Sequence, residues 1–264
     1  MRIRKVLCKS IMSKSRLGTD YSINPYRGCT HACVYCYAPY VLRENRKWGE
    51  FVDVKINAPD VLDRDLRRYR KGTIFISSVT DPYNPLEKEY KITRRILEKL
   101  VNTKFSASIQ TKSSLVLRDL DLLKQIDCEV GMTITTLDEE ARRIFEPNTS
   151  SSEDRLKALK ILKENGIKTY IFFGPFLPLI SDENLEETIK KFAGVKPDYI
   201  YLDSLNIKNR IHWRKIRKVL EKHYPKLVEE WEKILFTKND YYNKIKKRVV
   251  ELCKKYYLEY ELCY

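Results

Sequence analysis

The chain has 264 residues, 43% of them hydrophobic, and carries a net charge of +15. This composition excludes a disordered or collagen-like chain and is ample for a packed core. No apolar run is long enough to cross a bilayer. The start, MRIRKVLCKS, lacks the apolar core and small-residue cleavage site of a leader, so the expected location is the cytoplasm. The charge excess sits at the ends: +7 over residues 1–50, zero over 51–204 and +8 over 205–264. Basic ends around a neutral middle fit a patch for a polyanion. They fit equally well simple solubility in a Lys-rich, Gln-poor chain of thermophilic character.

Taken in chain order, residues 1–19 read as a basic N-terminal segment. A strand is expected near Tyr21–Tyr26, then a cysteine-rich loop and a helix at about 40–47. Runs rich in β-formers follow at 73–80, 104–111, 128–136, 167–174 and 197–205. Between them lie helical patterns at 93–101, with Thr93 as N-cap, and at 115–126. Two more lie at 151–166, with capping-box signals and Gly166 past its end, and at 184–194, with the same helix-then-Gly ending. Six strand–helix units predict an α/β core over residues 20–205, its parallel sheet built by right-handed crossovers. The pattern leaves two closures open: a doubly wound sheet or a barrel of six strands. Residues 206–264 switch to long basic helical patterns and read as a helical C-terminal extension.

Three of the seven cysteines fall within eight residues, in RGCTHACVYCYAP (27–39). An odd cysteine count in a chain this large argues against a disulfide framework and for metal-binding thiols in a reducing compartment. Cys29, Cys33 and Cys36 are spaced C-x3-C-x2-C. Structural zinc usually takes four ligands from two paired motifs, and there is no second pair here. His31 offers a fourth ligand, but it sits awkwardly between two cysteines. A thiol-redox pair leaves Cys29 unexplained. Three soft thiolates in one loop suit a [4Fe–4S] cluster with one iron left open to a second molecule. The competing reading is a non-enzymatic nucleic-acid-binding protein in which the triplet is a structural metal site.

CTHACVYC, with the aromatic Tyr35 before the third cysteine, resembles the signature of the radical SAM superfamily. The longer strings NPYRGCTHACVYCYAP, SSVTDPYNPLEKEYKITRRILEKL (77–100) and TITTLDEEARRIFEP (133–147) resemble its spore-photoproduct-lyase-like branch. The resemblance covers roughly residues 20–205. It implies a partial (βα)6 TIM-like barrel and an enzyme that reductively cleaves S-adenosylmethionine at a [4Fe–4S] cluster on Cys29, Cys33 and Cys36. The 5′-deoxyadenosyl radical so formed abstracts hydrogen from a substrate. It also implies an electron donor of flavodoxin or ferredoxin type. DNA or RNA is the first-choice substrate, on charge and branch, and no membrane is involved.

Barrel chemistry sits at the C-terminal ends of the strands. Ser77, Ser78 and Thr80 follow the second strand, where the resemblance implies a polar motif holding the methionine amino group. Thr111 ends the third strand. Thr133 and Thr135 alternate onto one face and offer hydroxyls to the ribose. Arg155 would pair with the methionine carboxylate, and Gly174 would let adenine lie against backbone. The bland reading makes the strand-end hydroxyls helix caps and Arg155 an exposed helix residue. Asp203, Asn206, Lys208 and Arg210 follow the sixth strand as substrate contacts. In spore photoproduct lyase a cysteine returns a hydrogen atom to the product. No cysteine is expected at a strand's C-terminal end here, because Cys128 opens the fourth run. Tyr83 and Tyr201 are the weak catalytic candidates in its place. Trp213, Trp231, Tyr241, Tyr242, Tyr256 and Tyr257 in the basic C-terminal segment read mainly as aromatics packed on the barrel.

Overall fold

The computed structural model describes residues 1–15 and 17–263. The strands among them are β1 (Arg2–Val6), β2 (Met12–Lys14), β3 (Tyr21–Ile23), β4 (Tyr26–Arg27), β5 (Phe51–Lys55) and β6 (Thr73–Ile76). Then come β7 (Ser106–Thr111), β8 (Cys128–Thr133), β9 (Lys168–Phe176), β10 (Tyr199–Ser204) and β11 (Tyr260–Leu262). Strands β3, β6, β7, β8, β9 and β10 lie side by side in that order, all parallel. β2 adds antiparallel beyond β3, and β11 adds parallel beyond β10. Among the described residues these two edges are not paired with each other, so the six-strand core forms a partial barrel. β1, β5 and β4 make a separate three-stranded sheet.

Alternation along the strands sets the two faces. Ile74, Ile76, Ile109, Val130, Met132, Ile171 and Ile200 are fully buried against the helices. The partners on the other face are largely polar. Ser108 stands beside Glu129, and Gln110, Gly131, Tyr170 and Tyr199 are neighbours across four strands. (β/α) barrels usually fill this lumen with branched aliphatic side chains. Here Glu129 accepts from Ser108 at 2.9 Å and from Tyr199 at 2.8 Å. Tyr170 reaches Gln110 at 3.3 Å, and Gln110 donates to Thr133 at 3.2 Å. The lumen is therefore a hydrogen-bonded column ending at the strand tips.

Several local expectations are corrected. Thr93 is not an N-cap but lies inside the helix Ile92–Leu100, where its hydroxyl donates to Pro82. The carboxylate of Glu87 instead takes the free amides of Thr93 and Arg94. The helix after the cysteine loop spans only Ala38–Val41, because Arg43 turns the chain through the left-handed region. The pattern at 115–126 splits into a 3-10 turn, Ser114–Asp119, and a short helix, Leu120–Leu123. The helix Ser152–Glu164 has Ser151 as its cap, and Gly166 follows it with a positive φ, as its sequence predicts. In the helix Leu185–Gly194, Lys196 rather than the glycine takes the left-handed position. β5 and the helix Ala58–Arg68 had no clear signal, since β5 is completed by β1, far away in the sequence.

The C-terminal segment forms the helices Arg210–His223, Val228–Phe236 and Tyr241–Lys255 before returning as β11. Trp231 is fully buried and stacks over Phe145 at 6.1 Å. The hydroxyls of Tyr241 and Tyr242 accept from the amides of Leu179 and Leu205. These aromatics pack; Tyr257 alone of the six stands out in solvent. No helix among the described residues is long and apolar enough to cross a membrane.

Gly131 carries the Tyr170 ring across its face: a Cβ there would sit 2.1 Å from that ring. Gly131→Ala should therefore lower the unfolding free energy by about 1–3 kcal/mol, read as a shift of the urea midpoint. An unchanged midpoint would mean that the lumen column yields freely.

Candidate active site

The loop Gly28–Tyr37 crosses the C-terminal mouth of the barrel. Gly28 has φ +92°, and a Cβ there would lie 2.3 Å from the carbonyl oxygen of Phe51, so glycine is required at the loop's entry. Three separate elements then hold the loop. Thr80, after β6, donates to the Gly28 carbonyl at 2.8 Å. In the turn after the helix Glu139–Phe145, Asn148 donates to the Thr30 carbonyl at 2.9 Å, and the Val34 amide donates to Phe145 at 2.8 Å. From the helix Arg210–His223, Lys215 donates to the Cys33 carbonyl at 3.1 Å, and His212 bonds the Tyr35 carbonyl at 3.0 Å. His212 also stacks on Tyr40 at 4.6 Å. Burial holds His212 down at about 4. The neutral ring therefore donates from Nε2 to Tyr35, while Nδ1 accepts the Lys208 amide.

Cys29, Cys33 and Cys36 are free thiols, the first two buried. Burial raises all three above the ordinary thiol value, Cys33 to about 12. Cys29 is raised further by Asp81 and by the other two cysteines. Around Cys36, the Ala38 amide, Lys112, Lys215 and Trp48 work in the opposite direction and favour the thiolate. Among the described residues, no three His, Cys, Asp or Glu side chains converge as they would around a single ion. A cluster does not require it, since each thiolate binds a different iron. Three neighbouring thiols, two nearby ammonium groups and N–H donors toward sulfur make a donor set that fits a [4Fe–4S] cluster. Assembly must expel the thiol protons.

Two buried carboxylates flank this loop. Glu146 is fully buried; Arg155 pairs with it at 2.6 Å, Thr135 donates to it at 3.2 Å, and Tyr35 donates through its hydroxyl. Burial would raise its carboxyl, but Arg155 and Lys112 hold it below the usual range. Asp81 accepts from the Thr111 hydroxyl at 2.6 Å and from the amides of Tyr83 and Lys112. His31 Nδ1 lies 3.3 Å from it. Against the cost of burial, His31, Thr111 and Lys112 bring Asp81 down to about 2.

The expected site residues differ in how far their side chains are already engaged. Arg155 is neither exposed nor free for a ligand: besides Glu146 it bonds the carbonyls of Thr133 and Ser150 and the Thr149 hydroxyl. Lys112 is the cation left at the mouth, 5.8 Å above the Tyr35 ring, its ammonium without a hydrogen-bond acceptor among the described residues; Cys33, Glu146 and Asp81 keep it charged against burial. Ser77 takes a left-handed φ of 75°, and its buried hydroxyl has no partner among the described residues. The Ser78 hydroxyl is taken by Asn24, and the Ser78 carbonyl by the Tyr37 hydroxyl at 2.6 Å. Thr133 accepts from Gln110. Gly174 lies against Asp203, whose Cβ would be 2.9 Å from a Cβ at the glycine. Asp203 is raised by burial, with Lys208 opposing, and Lys208 sits 5.8 Å above the Tyr37 ring. Asn206 and Arg210 are exposed just beyond.

Tyr83 is sealed away from the mouth, fully buried beside Glu87, Arg118 and Asp119. Tyr201 lines the lumen, edge-on to Tyr170 and Tyr199. The expectation of no cysteine at a strand end is overturned. Cys263 follows β11 directly, and its amide bonds Leu202 at 3.0 Å, which brings it beside Asp203. The sequence reading could not find it because β11 follows three helices and has no strand-then-helix context. Glu146, Trp48, His212 and Lys215 were also missed. Only Glu146 lay within a recognisable motif.

This site, on this barrel, defines a class. Residues 23–192 match the radical SAM superfamily, and the chain belongs to it. An uncharacterized protein of Methanocaldococcus jannaschii is 40% identical over 234 residues, covering 87% of this chain and 86% of that one. A radical SAM Nα-GlyT isomerase of a Pseudomonas phage is 24% identical over 180 residues, 67% of this chain and 37% of the phage protein. Spore photoproduct lyase complexed with dinucleoside spore photoproduct shares the fold: TM-score 0.76 at 15% identity, over 99% of this chain and 82% of the lyase. The chain is thus a radical SAM enzyme that uses a [4Fe–4S] cluster, S-adenosylmethionine and a reductant, and the non-enzymatic reading falls.

Because the Asp81 carboxyl is lowered to about 2, its contribution to stability is present above the unfolded value of about 3.9. It is lost as pH falls from there through about 2. Asp81→Asn should flatten the acid limb of urea-midpoint against pH below about pH 4. A variant keeping the wild-type acid limb would show that Asp81 is not the group responsible.

Proposed function

We propose that the enzyme abstracts a hydrogen atom from a nucleotide unit of DNA or RNA presented at the barrel mouth. The observation that carries the radical chemistry is the triplet Cys29, Cys33 and Cys36, held over the mouth from three sides. When bound, the reduced cluster supplies the electron that cleaves S-adenosylmethionine into methionine and the 5′-deoxyadenosyl radical.

The protein's own part is to bind and orient. Lys112 is the cation free to take the methionine carboxylate, the role first expected of Arg155. The unpartnered Ser77 hydroxyl is placed for the amino group. Tyr35, fixed through Glu146, walls the same space. Thr80, Thr111 and Thr135 serve the framework, since their hydroxyls bond Gly28, Asp81 and Glu146. Thr133 and Gly174 line the mouth toward the sugar and base. Asp203, Asn206, Lys208 and Arg210 form the rim facing the substrate. Support for a nucleic acid comes from the charge at both chain ends, from the cations on that rim, and from the dinucleoside ligand of the structurally similar lyase.

Anaerobically reconstituted protein, reduced with dithionite, should release 5′-deoxyadenosine from S-adenosylmethionine, and Cys29→Ala should abolish both iron binding and release. Lys112→Ala should keep its iron yet bind S-adenosylmethionine about 10- to 100-fold more weakly, the worth of one charge-assisted hydrogen bond. Equal affinity would return the carboxylate to another group. For the substrate, perdeuterated DNA and RNA oligonucleotides should pass deuterium into 5′-deoxyadenosine. No transfer from either would remove nucleic acid from the proposal.

A further inference from the structure

The helix Arg210–His223 presents two different faces. His212, Trp213, Ile216 and Leu220 are buried, and Lys215 reaches in to Cys33. This helix therefore forms the outer wall of the cysteine loop, on the side away from the barrel lumen. Ile211, Lys215, Lys218 and Lys222 recur at i, i+4, i+7 and i+11, so they share one edge of the helix, with Arg214 alongside. Ile211 is 66% exposed, and Arg214, Lys218 and Lys222 are exposed as well. Residues 205–220 contain six Lys and Arg and no Asp or Glu. The single acid of this helix, Glu221, lies at i+3 from Lys218 on the same edge and is paired with Arg217 at 2.8 Å, and Glu232 of the neighbouring helix pairs with that arginine at 3.0 Å. On the adjoining helix Ala38–Val41, Val41 is 55% exposed, next to the Tyr40 that stacks on His212.

The mouth must admit S-adenosylmethionine and substrate, so an electron has to enter from another side. From outside that mouth this helix touches the loop directly, through Lys215 at the Cys33 carbonyl and His212 at the Tyr35 carbonyl. Its surface is cationic, its one acid is already paired, and it carries exposed apolar side chains, which is the complement of an acidic protein.

We infer that the edge formed by Ile211, Arg214, Lys218 and Lys222 is the docking face for an acidic one-electron carrier protein, which passes its electron across the Lys215 side of the loop. The inference rests on the cluster reading of the cysteines. The transfer takes one electron from the reduced carrier, leaving it oxidised by one, and lowers the cluster from the 2+ to the 1+ state. Transient redox interfaces of this kind are small and bury under about 1,200 Å². Their association is steered by charge and weakens with salt.

The test uses the full-length, reconstituted enzyme and flavodoxin hydroquinone as the probe. Cluster reduction is followed by stopped-flow loss of the visible iron–sulfur absorbance, at low and high salt. Arg214→Glu/Lys218→Glu/Lys222→Glu should slow reduction by flavodoxin about tenfold or more at low salt and erase its salt dependence. Reduction by photoreduced deazaflavin, a small reductant that needs no docking, should be unchanged. The conservative Lys218→Arg/Lys222→Arg variant should behave as wild type. The inference is overturned if flavodoxin reduces the triple variant at the wild-type rate, or if both reductants slow equally. It is also overturned if the reversal instead abolishes binding of a single-stranded oligonucleotide while flavodoxin transfer survives. Failure of the cluster reading itself would be seen separately, as wild-type protein that takes up no iron.

Discussion

The buried carboxylate of Glu146 is the point on which the site hangs. It has no access to water, so its charge must be answered entirely by the protein. Arg155, equally buried, answers it, while Tyr35 and Thr135 donate to it. These four residues come from the end of a helix, the next helix, the cysteine loop and the tip of β8. Removing one partner of such a pair would strand a buried charge at a cost of about 3–5 kcal/mol. The geometry of one ion pair therefore fixes where Tyr35 stands, and with it the two cysteines on either side.

Charge balance around the sulfurs follows from the same packing. Three thiolates brought into a buried loop repel one another and the carboxylates of Asp81 and Glu146. Lys112 on one side and Lys215 on the other offset this without leaving the protein interior. Trp48 and the Ala38 amide act toward Cys36 in particular, so the three sulfurs do not stand in equal fields. Cys29 has the acid for a neighbour and Cys36 has the donors. Fields and N–H···S bonds of this kind are what set a cluster's potential.

Much of this was legible because the strand–helix alternation and the cysteine spacing are local signals. β6 to β10 fall where their alternation places them, and C-x3-C-x2-C names its own chemistry. The misses at the site depend on partners that spacing along the chain does not reveal. The resemblance gives Arg155 to the methionine carboxylate, but nothing in the sequence shows that it pairs with Glu146, nine residues earlier. His212, Lys215 and Cys263 lie in a segment whose helical periodicity says nothing about which part of the barrel it covers. β11 is only three residues long, and its pairing with β10 supplies what its sequence lacks.

The polar lumen and the C-terminal helices solve one problem together. An enzyme holding a reactive radical needs a mouth that excludes stray groups yet admits a substrate. A six-stranded barrel left open on one side cannot seal itself, and here Ser108, Gln110, Glu129, Tyr170 and Tyr199 bond one another across the lumen. That column fills the base of the barrel with side chains already satisfied by each other, so water gains little by entering. The C-terminal segment then covers the loop from outside and adds β11 to the exposed edge of β10. The cysteine loop is consequently walled on its outer side by a basic helix, and its inner side faces the mouth. The mouth side is the one proposed here for cofactor and substrate, and the helix side the one proposed for the electron.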